Sequence, residues 1–417
     1  MLVTLGVCVV GGTTLAAAAN PGRPRVLGQS KRTPAVIGQP APTGTGQLDA
    51  VSCPDAKHCW AVGTPSAGPA AAPSAPAGAS TSLPASPGFV IDDTDDGGQT
   101  WVGEPLNLDP SPALEGIACP TIRLCMAVGL SGSASAGIVL TTHDGGTTWD
   151  QVVSPAGAIV VSSVECTSAT DCAVIASDGT TYWSAHSTDF GHTWQREGDL
   201  PAGLEDAGDI SCLGSEVCLV TGFTPTTTGH GQGAIVLSDD NGTTWSAAQV
   251  PAGTGLLQSA ICLTLTSCLA TGTTSTTVSA VVPAKGALLE SVDGGHTWAS
   301  SSGASAIDDI YGVACPSQSV CAMVGTKWIG KPAVGTGAVV QRHHGSSAFT
   351  ASRTEYTPLP LTALACPSAQ RCVAVGGDTV ARIALTSAAT RSTPGPSRSP
   401  LLTPATLTHL PPLIGRR

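Results

Sequence analysis

The sequence predicts an all-β protein, a seven-bladed β-propeller of four-stranded antiparallel blades with one disulfide per blade. Three observations point there. Fourteen of the 15 cysteines fall into seven pairs of identical C-x5-C spacing, Cys53/Cys59, Cys119/Cys125, Cys166/Cys172, Cys212/Cys218, Cys262/Cys268, Cys315/Cys321 and Cys366/Cys372. The first cysteines recur every 46 to 66 residues, a period at which repeats build solenoids, propellers or arrays. An octapeptide of the form [ST]-x-D-x-G-x-T-W also returns five times, at 94–101, 142–149, 187–194, 238–245 and 291–298. Charged residues make up only 11% of a chain with 50 glycines and 32 prolines, which suits short strands and many turns and argues against long helices.

Each element of a blade follows in order. A short apolar run ends at the first cysteine (EGIAC, YGVAC), and a second follows the other cysteine (MAVG, AMVG). Two strands joined by five turn residues make a hairpin, and cysteines at its base face each other at bridging distance. Closing so short a loop contributes ~2 kcal/mol on the chain-entropy model. Zinc would need four ligands, usually from tighter C-x2-4-C pairs, and no histidine stands at fixed spacing from these cysteines; neither metal nor cofactor is expected. A variable loop leads to a third strand (GIVLT, AIVLS), the octapeptide turns the chain, and its tryptophan opens the fourth strand. Such sheets repeated around an axis leave only short, protected edges.

The seventh unit ends near Leu385 with three strands. The N-terminal stretch Arg32–Gly38 (RTPAVIG) is expected to supply its fourth; Pro400–Leu407, or no strand, are the alternatives. Around the propeller of residues 48–387 lie an uncharged apolar segment, 1–19, read as a signal peptide or short anchor, a basic linker, 20–47, and a Pro/Thr-rich basic tail, 388–417, read as disordered. The net charge of −11 hides an acidic body: residues 48–387 hold ten basic and 29 acidic residues, a net of −19. Such a body repels phosphate backbones, so no nucleic-acid partner is expected, and no run beyond the first 19 residues approaches a membrane span.

The octapeptide resembles the Asp-box, or BNR repeat, of sialidase-like and photosystem II assembly factor-like propellers. The sixth unit has only HHGSSAF (343–349), and the seventh has no copy. The resemblance implies a fold more than an activity. Asp96, Asp144, Asp189, Asp240 and Asp293 are expected to brace the turn by accepting backbone N–H bonds, with Gly98, Gly146, Gly191, Gly242 and Gly295 at positive φ. Trp101, Trp149, Trp194, Trp245 and Trp298 are then expected to pack against the blade with the indole N–H on a local acceptor. Sialidases hold their substrate with three arginines and use a tyrosine nucleophile. The body arginines, Arg123, Arg196, Arg342, Arg353, Arg371 and Arg382, and the tyrosines Tyr182, Tyr311 and Tyr356 do not match that set, so no catalytic residue carries over.

Cysteine loops and octapeptides should share one face, leaving the opposite face to variable loops, where binding usually lives. The loop Thr64–Gly88 is almost all Pro, Ala, Ser and Gly. Trp328, between Lys327 and Lys331, is a candidate exposed ring, and the blade connections contribute acids, Asp206, Asp209, Asp308 and Asp309 among them. The expected function is an exported, non-catalytic binding or assembly scaffold, secreted or at the bacterial cell surface, monomeric, with a protein or cell-envelope polysaccharide as partner. The alternative is a glycoside hydrolase or carbohydrate-binding propeller using the variable-loop face.

Overall fold

The computed structural model describes residues 36–385 except 43, 66–89, 105, 107, 109–110, 134–135, 215, 226–230, 275–284, 303–305, 330–333 and 345–348. The signal or anchor segment 1–19, the tail 388–417, Lys331 and nearly all of the loop Thr64–Gly88 lie outside the described residues. Among the described residues, 28 strands form seven four-stranded antiparallel sheets, with no helix. Each blade starts with an inner strand that ends beside its first cysteine: Thr45–Ser52, Ala113–Ala118, Val160–Cys166, Ile210–Leu213, Leu257–Cys262, Asp309–Ser317 and Ala363–Ser368 in blades 1 to 7. Alternating side chains on neighbouring sheets interlock into apolar clusters between blades, such as Met126, Val128, Val161, Val174 and Trp183 between the second and third.

All seven cysteine pairs are bridged, with Cα atoms 4.0 to 4.1 Å apart. In blade 3 Cys166 lies directly opposite Cys172 in the ladder, and in blade 4 Cys212 opposite Cys218. A bond at a directly opposed pair leaves the hairpin no freedom to slip by a residue, which would turn its apolar face outward. The bridges are braces of the core. The second cysteine opens the second strand of its blade, where both faces are covered, and is buried in every one: Cys59, Cys125, Cys172, Cys218, Cys268, Cys321 and Cys372. Cys125 packs among Ile117, Ile138 and Leu140, Cys268 among Leu219, Leu237 and Leu289, and Cys321 among Leu269, Val313 and Met323. These sulfurs therefore stand among the apolar side chains between blades, out of reach of any ligand.

The seventh unit contributes three strands of its own, and the N-terminal stretch supplies the fourth. Val36–Pro40 pairs antiparallel with Thr379–Ala384, from Val36 opposite Ile383 to Pro40 opposite Thr379. Of the expected stretch Arg32–Gly38, Arg32 to Ala35 lie outside the described residues, and the strand runs on past Gly38 to Pro40. Leu48 N–H donates to the Gly377 carbonyl at 2.8 Å and Thr362 Oγ1 to the Leu48 carbonyl at 2.9 Å, joining blades 1 and 7. The Gln39 amide reaches on to the Gln99 carbonyl of the first octapeptide at 3.1 Å.

The octapeptides are turns held by a repeated set of bonds. In the second, Thr142 Oγ1 donates to Asp144 Oδ1 (2.9 Å), Gly146 N–H donates to Thr142 Oγ1 (2.9 Å), and Thr148 donates to Asp144 through both N–H (2.9 Å) and Oγ1 (2.8 Å). The same bonds recur around Asp240. The hydroxyls at the first and seventh positions brace as much as the aspartate does. Hydrogen bonds from the Thr193 hydroxyl and N–H hold Asp189 down to about 2, since a bonded carboxylate keeps its charge.

The fifth-position glycine of each turn has positive φ, as does the residue before it, including Phe190 at 55° and Asn241 at 58°. A β-carbon on Gly146 would lie 2.7 Å from the Trp60 indole nitrogen, and one on Gly191 2.9 Å from the Met126 methyl. Trp60 and Met126 each follow the second cysteine of the preceding blade, so the turn of one blade seats on the hairpin of the one before. The tryptophans vary. Trp298 finds its acceptor within its own turn, at the Gly295 carbonyl (2.7 Å), whereas Trp194 reaches the Val153 carbonyl and Trp245 the Ser184 hydroxyl of the preceding blade. Trp101 and Trp149 find no acceptor for the indole N–H among the described residues.

Replacing Asp240 with alanine removes the acceptor of three of these bonds, and is expected to lower the thermal midpoint by a few degrees. Asp239→Ala, one residue away and with only a 3.6 Å approach to His296, should leave it unchanged. Scanning calorimetry of the two variants checks this; equal midpoints would remove the bracing role.

Candidate functional site: the central cavity

Gly97, Gly145, Phe190 and Gly294 each donate their N–H to a carbonyl in the cysteine loop of their own blade. The octapeptides and cysteine loops therefore share one face, and the inner strands run from the opposite face towards it. Those seven strands surround a cavity of about 570 Å³.

A single irregularity shapes its wall. The inner-strand ladder skips one residue in five blades: Asp49, Glu115, Ser162, Gln258 and Tyr311. In blade 4 Gly208 donates to Thr221 while Thr221 donates to Asp209, and in blade 7 Thr362 donates to Val375, the residue opposite Ala363. Every one of these irregularities falls four residues before the first cysteine. A β-bulge adds a residue to one strand and re-aims a side chain; all of these residues line the cavity. The positions read D, E, S, G, Q, Y and T around the ring, a polar girdle in otherwise apolar strands.

The cavity wall is strongly acidic. Burial pushes Glu115 up to about 7, with the charges of Asp49 and Asp206 adding to the effect. Glu165, on the inner strand of blade 3, rises to about 8 through burial and the neighbouring Asp209. Asp209 itself rises to about 6 by burial, against a 3.2 Å bond donated by Ser259 Oγ. Glu115 and Asp209 touch cavity water, yet the strands that wall them in hydrate an anion far less well than bulk solvent does.

The expected site residues separate into two places. Asp209 is in the cavity wall and Asp206, at φ 51°, sits near enough to act on Glu115 and Tyr182. Asp308, Asp309, Lys327 and Trp328 meet instead on the variable-loop side of blade 6. There Lys327 Nζ donates to Asp308 Oδ1 (2.7 Å), Trp328 N–H to Asp308 Oδ2 (2.9 Å) and Trp328 Nε1 to Asp309 Oδ2 (2.9 Å). Trp183, a second ring in the sequence outside the octapeptides, is buried with the Arg196 guanidinium 4.0 Å above it, so it is no sugar platform.

Sequence reasoning missed Glu115's neighbours in the girdle, Ser162, Gln258 and Tyr311, along with Asp49 and Glu165, because it sought the site in loops. The signal was present: a polar residue at one fixed offset from nearly every first cysteine. Among the described residues no three histidine, cysteine, aspartate or glutamate side chains converge as a metal-ligand set, and no helix is long and apolar enough to cross a membrane.

No family model and no curated protein matches the chain. Solved structures do. The chain is similar to YCF48 bound to a D1 peptide (TM-score 0.57, 14% identity, covering 85% of this chain and 98% of that one). It is also similar to the GH74 xyloglucanase from Xanthomonas campestris (0.54, 13%, covering 82% of this chain and 52% of that one). A third is the WD40 β-propeller domain of Doa1 (0.51, 8%, 82% and 94%). The likeness is one of fold. At these identities it adds no residue to the cavity.

Raised carboxyl values mean that the folded chain holds protons which the unfolded chain releases. Stability from Glu165 is complete below the ordinary glutamate value of 4.5 and is lost as pH rises through about 8. Octapeptide aspartates act in reverse, their contribution being present above 3.8 and lost as pH falls towards about 2. The thermal midpoint is thus expected to peak between these windows and fall from mildly acidic to mildly alkaline pH, less steeply in a Glu115→Gln/Glu165→Gln variant. A midpoint that climbs across that range, or an unchanged slope in the variant, contradicts the assignment.

Proposed function

We propose that this chain is an exported, non-catalytic binding scaffold of the cell envelope that holds a segment of another protein at its central cavity. One observation carries the reading: seven inner strands each break their ladder at the same place, and the break presents polar side chains to one cavity. A cavity wall built only for stability has no use for three carboxyls pushed up to about 6, 7 and 8, each of which costs free energy whenever it ionises. Functional sites are where such costs are tolerated. Seven disulfides suit an oxidising compartment, and the apolar residues 1–19 suit export. The Asp-box resemblance of the octapeptides and the peptide-bound state of YCF48 favour a propeller that binds rather than transforms.

A second reading has one observation in its favour. The charge of Asp209 raises Glu165, and the two differ by about two in their values, about 8 against about 6, which is how environments divide acid from base in glycoside hydrolysis. The GH74 likeness agrees with it.

Calorimetric titration with a panel of peptides graded from acidic to basic separates the two. At least one class is expected to bind, with affinity weakened about tenfold or more in a Glu115→Gln/Gln258→Ala variant. If no class binds, or the variant binds as tightly as the parent, the scaffold reading fails. Release of sugar from xyloglucan by the parent but not by Glu165→Gln establishes the second reading.

A further inference from the structure

Trp328 ends the second strand of blade 6, Val320–Ile329, at the edge opposite the cysteine loops. It is 41% exposed, the sole aromatic side chain among the exposed large hydrophobic residues described. An indole left in water is ordinarily free to turn, but this one is fixed. Its backbone N–H is held by Asp308 and its ring N–H by Asp309, both at 2.9 Å. Asp308 is only 8% exposed and is met by Lys327 at 2.7 Å. Burying a charge pair costs desolvation, and here the pair anchors the end of a strand that carries an exposed ring. The arrangement presents a preorganised aromatic face.

Its electrostatics select a ligand. The Asp308 charge is matched by Lys327, while Asp309 forms no ion pair among the described residues. The indole thus lies beside an unmatched carboxylate, in a body of net charge −19. A cation over an indole face gains from the ring quadrupole, more so where a carboxylate stands alongside. The molecule already contains the finished form of this arrangement. At Trp183 the Arg196 guanidinium lies 4.0 Å over the ring and donates to Asp199 at 2.6 Å. Trp328 and Asp309 repeat the ring and the carboxylate, and among the described residues no guanidinium lies over the ring.

We propose that Trp328 and Asp309 form a subsite for an arginine side chain of the bound protein segment, stacked on the indole and paired with the Asp309 carboxylate. This rests on the peptide-scaffold reading and names the chemistry of its ligand. Asp309 is two residues from Tyr311 on the same strand, and Tyr311 belongs to the cavity girdle. A segment with an arginine on this subsite therefore passes directly to the acidic cavity mouth. A lysine gains less, because its ammonium offers a point charge rather than a planar face that stacks.

The test uses the full chain and three probes: an arginine-containing peptide, its lysine analogue, and a xyloglucan oligosaccharide, each titrated against the parent, Trp328→Ala, Trp328→Phe and Asp309→Asn. The arginine peptide is expected to bind more tightly than the lysine analogue, to weaken about three- to tenfold in Trp328→Ala and in Asp309→Asn, and to be largely retained by Trp328→Phe. An unchanged thermal midpoint for Trp328→Ala shows that the loss is not one of folding. Equal binding of the arginine peptide by the parent and Trp328→Ala overturns the subsite. If that peptide still depends on Glu115 and Gln258, the scaffold reading stands without it. Oligosaccharide binding that depends on Trp328, with no arginine preference, also overturns the subsite and makes the ring a sugar platform.

Discussion

A bridged pair of cysteines sits across the first hairpin of every blade, with Cα atoms about 4 Å apart, and so fixes which residues of the inner strands face one another. Three features take their place from that clamp. The octapeptide turn of the same blade donates a backbone bond into the cysteine loop. In three octapeptides the glycine seats on the residue just after the preceding blade's second cysteine: Gly146 on Trp60, Gly191 on Met126 and Gly295 on Leu219. The inner-strand break then falls at one fixed distance before the first cysteine in every blade, so that side chains from seven separate sheets meet around one axis. A repeat protein with local staples can assemble each blade from neighbouring residues, which keeps the contacts that must form early short in sequence. The strand Val36–Pro40 is the exception, since it pairs with residues at the far end of the propeller and closes the ring across its whole length.

The molecule spends stability at its centre and recovers it at its rim. Glu115, Glu165 and Asp209 lie where a charge is poorly hydrated, and each is pushed well above the ordinary carboxylate range. At the rim the opposite holds. Each octapeptide aspartate accepts several bonds from its own turn in full contact with water, so its charge is favoured and costs nothing to keep. Two populations of carboxylate, alike in sequence, therefore pull the pH dependence of folding in opposite directions. The cavity population has no structural benefit that would explain it, which is why the binding function is assigned there.

Much of this is legible in the chain itself. Equal cysteine spacing marks the blades, and the octapeptide marks the turn between third and fourth strands. The spacing does not tell that the second sulfur of each pair, Cys125, Cys268 and Cys321 among them, goes into the core, because burial depends on the neighbouring blade rather than on the hairpin. The RTPAVIG stretch identifies the closing strand, and pairing with Thr379–Ala384 carries it two residues beyond Gly38, to Pro40. The girdle was hidden for a physical reason. A bulge leaves no composition signature of its own, and Ser162 or Gln258 inside an apolar run looks like an ordinary outward-facing position of a strand. Only the offset from the cysteines betrays it, since Gly208 and Thr362 occupy the same place. Two of the three tryptophans outside the octapeptides show a similar limit. Trp183 and Trp328 look alike in sequence, and what distinguishes them is Arg196, folded over the first from the adjacent strand. The second has no such cover among the described residues and is held by two carboxylates.

Disulfide mapping tests the register clamp most directly. The purified protein is digested with pepsin without prior reduction, and its peptides are sequenced by mass spectrometry. Seven bridges confined to their own hairpins are expected, Cys53 with Cys59 through Cys366 with Cys372, each hairpin peptide two hydrogens lighter than its reduced form. Bridges between different blades, or free thiols at these positions, would leave the inner strands without a common register and contradict the account of the cavity built on it.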